Sequence, residues 1–179
     1  MIKKIALCFV LAGLVAFTTH AGETDDTSAR SVHVDIAEVV ERSAVQPVDG
    51  ITSAGQPGAD ALTVFADAGY VAVIDLRGPE ENRGFDERAV TDELGLDYVE
   101  LPIVGQEAIN FDNAKKLDAL IEGYEGPVLV HCGSGNRVGA LLALRKSLAG
   151  ADDEEALAYG RSAGLSRLEP VVKERLEEN

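Results

Sequence analysis

Two stretches, "YVAVIDL" (70–76) and "GPVLVHC" (126–132), constrain this chain more than any other feature. Each is a continuous apolar run of strand length bounded by turn residues. A strand that is apolar on both faces has to be covered on both faces, which is the condition of a parallel sheet between helices. The surrounding pattern supplies those helices. "ADALTVFADAG" carries Leu62, Phe65 and Ala66 on one face and stops at Gly69. "FDERAVTDELG" puts Phe85, Ala89, Val90 and Leu94 in register and ends at Gly95, and "NFDNAKKLDALIEG" does the same with Phe111, Ala114, Leu117, Leu120 and Ile121. "RVGALLALRKSLAG" is apolar nearly all round, as a central helix is. Two further helices are predicted near 152–163 and 167–178, the second with a stripe of Leu168, Val171, Val172 and Leu176. With strands near 50–54 and in "LDYVELPI", the order is β-α-β-α-β-α-β-α-α-α. Parallel strands need crossovers, so the expected fold is α/β: a mostly parallel central sheet of about four to five strands flanked by helices, with a helical C-terminal end.

The first residues read differently. "MIKKIALCFVLAGLVAFTTHAGE" has two lysines, an apolar run too short for a confident membrane span, and small residues ending at Ala21. That is the layout of a secretory signal peptide, with cleavage expected after Ala21 and a periplasmic or secreted destination. Residues 22–30 read as a disordered polar leader and 31–179 as one domain. The 31 acidic residues outnumber the 16 basic ones, for a net charge of −15. Such a surface repels nucleic acid and anionic lipid, so neither is an expected partner, nor is a membrane once the signal is removed. An anion site would need strong local positive charge.

Of two cysteines, Cys8 lies in the signal, and Cys132 is left without an internal partner. Its setting, "HCGSGNR", explains a lone thiol. Cys132 ends a strand; Gly133, Ser134, Gly135 and Asn136 turn the chain into a helix; Arg137 opens that helix. Ligands of parallel sheets bind outside the carboxyl ends of strands. Backbone N–H groups of such a turn converge on an anion, the helix N-terminus adds positive potential, and an arginine fork matches two oxygens of an oxyanion. The same field favours a thiolate. One loop can thus hold an oxyanion and place a nucleophile beneath it. A nucleotide P-loop would need a Lys-Ser/Thr pair that is absent. "GSGNRVG" has glycines like those of a dinucleotide-binding turn, but it comes late in the chain and no ribose-binding acid follows. No metal-ligating cluster is visible, and no cofactor is implied: beyond the signal only His33 and His131 remain. Arg77, at the end of "VIDLR", could face the same site or pair with Glu80 or Glu81; those two, with Arg83 and Arg88, read as solvated surface.

At these residues the chain resembles the cysteine-dependent phosphatase superfamily. More narrowly, it is similar to the bacterial dual-specificity-phosphatase-like domains associated with β-lactamase-like hydrolases and with nicotinamide-nucleotide-kinase fusions. Besides "VHCGSGNRVGALLAL", the likeness includes "ITSAGQP", "GYVAVIDLRGPEEN" and "LGLDYVELPI", over roughly residues 45–150. The resemblance implies a phosphomonoester hydrolase acting on a phosphorylated or other oxyanion substrate. Cys132 would be the nucleophile of a phosphocysteine intermediate, Arg137 the clamp on phosphoryl oxygens, and His131 a support for the thiolate. Gly133, Ser134, Gly135 and Asn136 would donate backbone N–H groups.

Three features depart from that pattern. Four residues, not five, separate Cys132 from Arg137. Val138 stands where Ser or Thr is usual after the arginine. Where an acidic residue, usually Asp, serves as general acid, "VGQEAINFD" offers Glu107 and Asp112; Glu107 is the expected acid, and Asp112 suits a helix dipole. The short loop also resembles that of rhodanese-type sulfurtransferases, in which the thiol would carry a persulfide. A catalytically weak oxyanion-binding module is the third reading.

Overall fold

The computed structural model describes residues 30–47 and 50–178; the expected signal peptide and all but the last residue of the expected leader lie outside them. Within these residues five strands, all parallel, form one sheet: β1 (Arg30–Val34), β2 (Gly50–Ala54), β3 (Ala72–Asp75), β4 (Asp97–Glu100) and β5 (Val128–His131), in the spatial order β1-β2-β5-β3-β4. The expected α/β architecture is therefore the observed one. β5 lies between β2 and β3, with Ala54 and Asp75 both in register with His131. Its carboxyl end is where the strand order reverses, the position at which parallel sheets bind ligands.

Among the described residues, seven α-helices cover the sheet: α1 (Ile36–Arg42), α2 (Ala59–Asp67), α3 (Glu87–Leu94), α4 (Phe111–Glu122), α5 (Asn136–Leu148), α6 (Asp153–Ser162) and α7 (Glu169–Glu177). Alternation along each strand sorts their partners. Ile74, Val128, Val130 and Cys132 point into a core shared with α4, α5, α6 and α7. Val73 and Leu129 point the other way, into a core with Val39 of α1 and with Leu62 and Phe65 of α2. α5 buries every residue from Val138 to Leu144, as its all-round apolar pattern predicts. It carries Arg145 and Lys146 in its last turn, where cations suit the helix dipole. Asp86, Asn110 and Asp152 cap α3, α4 and α6 through their side chains, and three acidic residues fill the first turn of α6. α5 and α6 cross where both are glycine. A Cβ on Gly139 would lie 2.6 Å from the Gly160 carbonyl oxygen, and one on Gly160 2.7 Å from that of Gly139, so the backbones touch without side chains between them.

Two parts differ from expectation. β1 and α1 precede the first predicted strand, and Arg30, placed in the leader, belongs to β1. Both elements lie at the edge of the fold. Val39 is the one buried residue of α1 and Val32 of β1 is exposed, so neither has a long apolar stripe. In α3, Ala89 is exposed, and the residues buried deepest are Glu87 and Thr91. The helix turns a carboxylate inward because a buried arginine meets it there.

Candidate active site

Cys132 follows the last residue of β5, and its amide donates to the Ala54 carbonyl at 3.4 Å. Only 1 % of the residue is exposed. The chain then turns through Gly133 and Ser134, which bridges to Gly55 after β2. At Gly135, φ is +77°, a left-handed conformation that favours glycine. Asn136 begins α5, whose first-turn amides, as at any helix start, have no acceptor within the helix. The Asn136 side chain faces backwards: its Oδ1 accepts from Ser166 N at 2.8 Å, Ser166 Oγ at 3.2 Å and Leu168 N at 3.3 Å.

The Arg137 guanidinium lies across this turn; a Cβ on Gly133 would be 3.6 Å from its Nη2. Its outer edge is held by Glu81, with Nη1 donating to Oε1 at 2.5 Å and Nη2 to Oε2 at 2.7 Å. Nη1 also donates to the carbonyls of Ile103 at 3.2 Å and Leu76 at 3.4 Å. Glu81 is itself fixed by the Gly78 amide at 2.8 Å. Nε takes no oxygen acceptor among the described residues. Glu81 raises the Arg137 pKa, and Cys132 does so after it, which places the sulfur beside the guanidinium. In return the Arg137 hydrogen bonds hold Glu81 below the usual carboxylate range. The fork is thus held by one carboxylate across Nη1 and Nη2, close to the turn that follows the thiol.

His131 lies on the other face of the sheet from Cys132, as strand alternation requires. Its ring is fully buried, with Nε2 3.0 Å from Glu87 Oε1 and 3.7 Å from Asp75 Oδ1; neither contact has the alignment of a hydrogen bond. Arg77 joins the same cluster, also fully buried. Its Nε and Nη2 donate to the two oxygens of Asp75 at 2.9 and 3.0 Å, and Nη2 also pairs with Glu87. Neither Glu80 nor Glu81 is its partner. Tyr98 Oη and Arg83 Nε donate to Asp75 Oδ2 at 2.8 and 3.0 Å. Burial pushes the Asp75 pKa up, but Arg77, His131 and Tyr98 outweigh it and bring it to about 2. Asp75, Glu87 and His131 have ligating atoms within 4.8 Å of one another; the positive charge among them is Arg77. The cluster ties β3, β5 and α3 together beneath the loop, and the His131 carbonyl accepts from Leu76 N at 2.9 Å.

Glu107 stands on a short 3₁₀ turn (Gln106–Ala108), its side chain 95 % exposed and 3.5 Å from Arg175 of α7. Asp112 is exposed in the first turn of α4. The structure thus gathers Cys132, Arg137 and the 133–136 turn, puts His131 behind them, and pairs Glu107 with a different arginine. Glu81, read from sequence as solvated surface, is the carboxylate that holds Arg137.

A five-stranded parallel sheet with a cysteine-glycine turn at the carboxyl end of its central strand is the arrangement of a phosphatase-like domain. The family model for the phosphatase-like domain of beta-lactamase hydrolase-like proteins matches residues 44–151, and the chain belongs to that family. Two beta-lactamase hydrolase-like proteins, from the Temecula1 and 9a5c strains of Xylella fastidiosa, are each 35 % identical over 139 residues, 74 % of this chain. The match takes in 30 % of the length of those relatives. The fold is similar to that of a candidate phosphatase from Neisseria meningitidis, with TM-score 0.61 and 20 % identity over 71 % of this chain and 92 % of that one. It is also similar to a candidate phosphatase from Shewanella putrefaciens CN-32, with TM-score 0.54 and 22 % identity over 70 % and 81 %. A third likeness is to Tk-PTP in its active form, with TM-score 0.54 and 19 % identity over 71 % and 91 %.

Proposed function

We propose that this protein hydrolyses phosphomonoesters through a phosphocysteine intermediate. The observation that carries the reading is the Arg137 guanidinium beside the Cys132 sulfur, held there by Glu81. The thiolate attacks phosphorus, an S–P bond forms, the ester P–O bond breaks, and the leaving oxygen takes a proton. Water then attacks phosphorus, releasing inorganic phosphate and restoring the thiolate. The amides of Gly133, Ser134, Gly135 and Asn136, with Arg137, hold the non-bridging oxygens where charge builds up. His131 acts from behind, by fixing the strand end from which Cys132 hangs. Glu107 can supply the proton only by turning from Arg175. Glu81 is held ionised by Arg137 and is a poor donor. Aryl phosphates, whose phenoxide leaves with little help, are therefore the test substrates. Protein and small-molecule phosphoesters both fit. Export to the periplasm or beyond, through the N-terminal signal, belongs to the same proposal.

The test is to mix the protein with an aryl phosphate, quench in acid and measure the mass of the peptide holding Cys132. A phosphoryl adduct on the sulfur supports the reading. The second reading, sulfur transfer, is favoured by the short loop between Cys132 and Arg137; an added sulfur on that peptide after thiosulfate, with no phosphoryl adduct, would replace the first. With neither adduct, and a rise in melting temperature on adding phosphate, the protein is an oxyanion-binding module.

Glu81→Gln tests the aiming of the arginine. The amide keeps one acceptor and turns a donor toward Nη1 or Nη2. A fall in kcat/KM for aryl phosphates on the order of tenfold is expected, with weaker inhibition by phosphate. If Glu81 merely blocked the cradle, phosphate would inhibit the variant more strongly.

A further inference from the structure

We propose that His33 is a positioning residue for the cysteine loop: its imidazole braces Gly135 from behind and keeps the amides at the start of α5 converging on the anion. The inference rests on reading that loop as an oxyanion cradle. β1 runs beside β2 with His33 in register with Ser53. His33 Nδ1 is 3.3 Å from Ser53 Oγ, and Ser53 Oγ is 2.7 Å from the Ala163 carbonyl, which can only accept. The single hydroxyl proton therefore goes to Ala163, and Ser53 accepts from Nδ1–H. That fixes the tautomer and turns the ring to one orientation. The residue keeps an exposed side, yet desolvation against its neighbours holds the His33 pKa below its ordinary value, against the opposing pull of Asp35 and of a hydrogen bond to Ser53.

The oriented ring lies against two glycines. A Cβ on Gly135 would stand 2.7 Å from Nδ1, and one on Gly164, in the α6–α7 turn, 3.0 Å from the same atom. Asn136, the next residue of the loop, binds that α6–α7 turn through its Oδ1. Strand, loop and turn therefore meet at one point, directly behind the residue whose left-handed φ turns the chain into α5. The strand and the α6–α7 turn both lie outside the family-matched residues 44–151. The brace has no part in binding substrate.

The test separates anion binding from turnover. Cys132 is alkylated with iodoacetate, an anion, and with neutral iodoacetamide, and the ratio of rate constants reads the cradle without any hydrolysis. His33→Ala is expected to lower that ratio on the order of tenfold and to lower kcat for an aryl phosphate more than it changes KM. His33→Asn, which keeps an N–H near the position of Nδ1, should recover most of both. Ser53→Ala, which releases the ring without touching the loop, should shift the ratio the same way by a smaller factor, and it carries the test if His33→Ala does not fold. Melting temperatures are followed in parallel, because a merely structural role would lower them and leave the ratio alone. Unchanged ratios in folded His33 and Ser53 variants would overturn the brace. A wild-type protein that shows no preference for iodoacetate would overturn the cradle and the brace together. A wild type that shows the preference but hydrolyses no phosphate would overturn the proposed hydrolysis alone.

Discussion

Cys132→Ser is expected to fold as the wild type does and to hydrolyse an aryl phosphate slower by a factor on the order of 10³ or more. The fold should survive because the change is nearly isosteric and leaves the backbone contacts untouched. Cys132 N still meets the Ala54 carbonyl, and Ser134 still bridges to Gly55. The activity should not survive. A serine hydroxyl beneath an arginine stays protonated at neutral pH, because the field that favours a thiolate is far too weak to ionise an alcohol. His131, the nearest imidazole in sequence, is on the opposite face with Glu87 and Asp75. The variant should still bind phosphate, since the turn and Arg137 remain. Steady-state kinetics and phosphate-dependent melting check both halves. A Cys132→Ser protein with a tenth or more of the wild-type rate would mean the thiol is not the nucleophile.

Arg77→Met is expected to cost about 3–5 kcal/mol of stability, the range seen when one partner of a buried ion pair is removed. Methionine fills much of the volume, so the loss is electrostatic. Asp75 and Glu87 lose the cation that touches both, in a site fully closed to water. Arg83 still reaches Asp75, which holds the cost short of a complete loss of folding. The pH dependence carries a sign. With its pKa lowered to about 2, Asp75 contributes stability that is present above the unfolded carboxylate range and lost as pH falls through about 2. Without Arg77 that pKa rises and the contribution shrinks. The difference between the proteins should then be largest near neutrality and narrow as acid protonates both states. Denaturant melts at several pH values measure it. A difference that stays flat with pH would mean the loss comes from packing.

The helices and central strands were legible in the sequence because each hides a face. "VAVI" and "PVLV" are covered on both sides, and α5 is buried nearly all round, so their composition reports their place. The turn at Cys132 was legible for a related reason: glycines and an arginine at a strand-to-helix junction have few physical uses. What stayed hidden depends on distance along the chain. Glu81 is one of several charged residues in "RGPEENRG", and nothing local shows that it folds onto an arginine 56 positions later. From sequence Arg77 could face the cysteine loop or pair with Glu80 or Glu81; it meets Asp75 and Glu87, because α3 turns its first residue inward and not its alanine. A helical-period scan seeks apolar residues and passes over a buried charge. β1 and α1 escaped because edge elements bury too little to leave a pattern.

The edge strand β1 changes where this domain can be cut. Trimmed to the span of the family match, residues 44–151, the polypeptide would lose the neighbour that pairs with β2 from Gly50 to Ala54. That would leave a row of amides and carbonyls free to zip onto a second molecule. The same cut would remove α6 and bare the glycine notch of α5 to water. A fragment chosen by homology alone would be sticky at one border and grooved at the other, whereas one beginning before Arg30 and running through Glu177 keeps both seams closed.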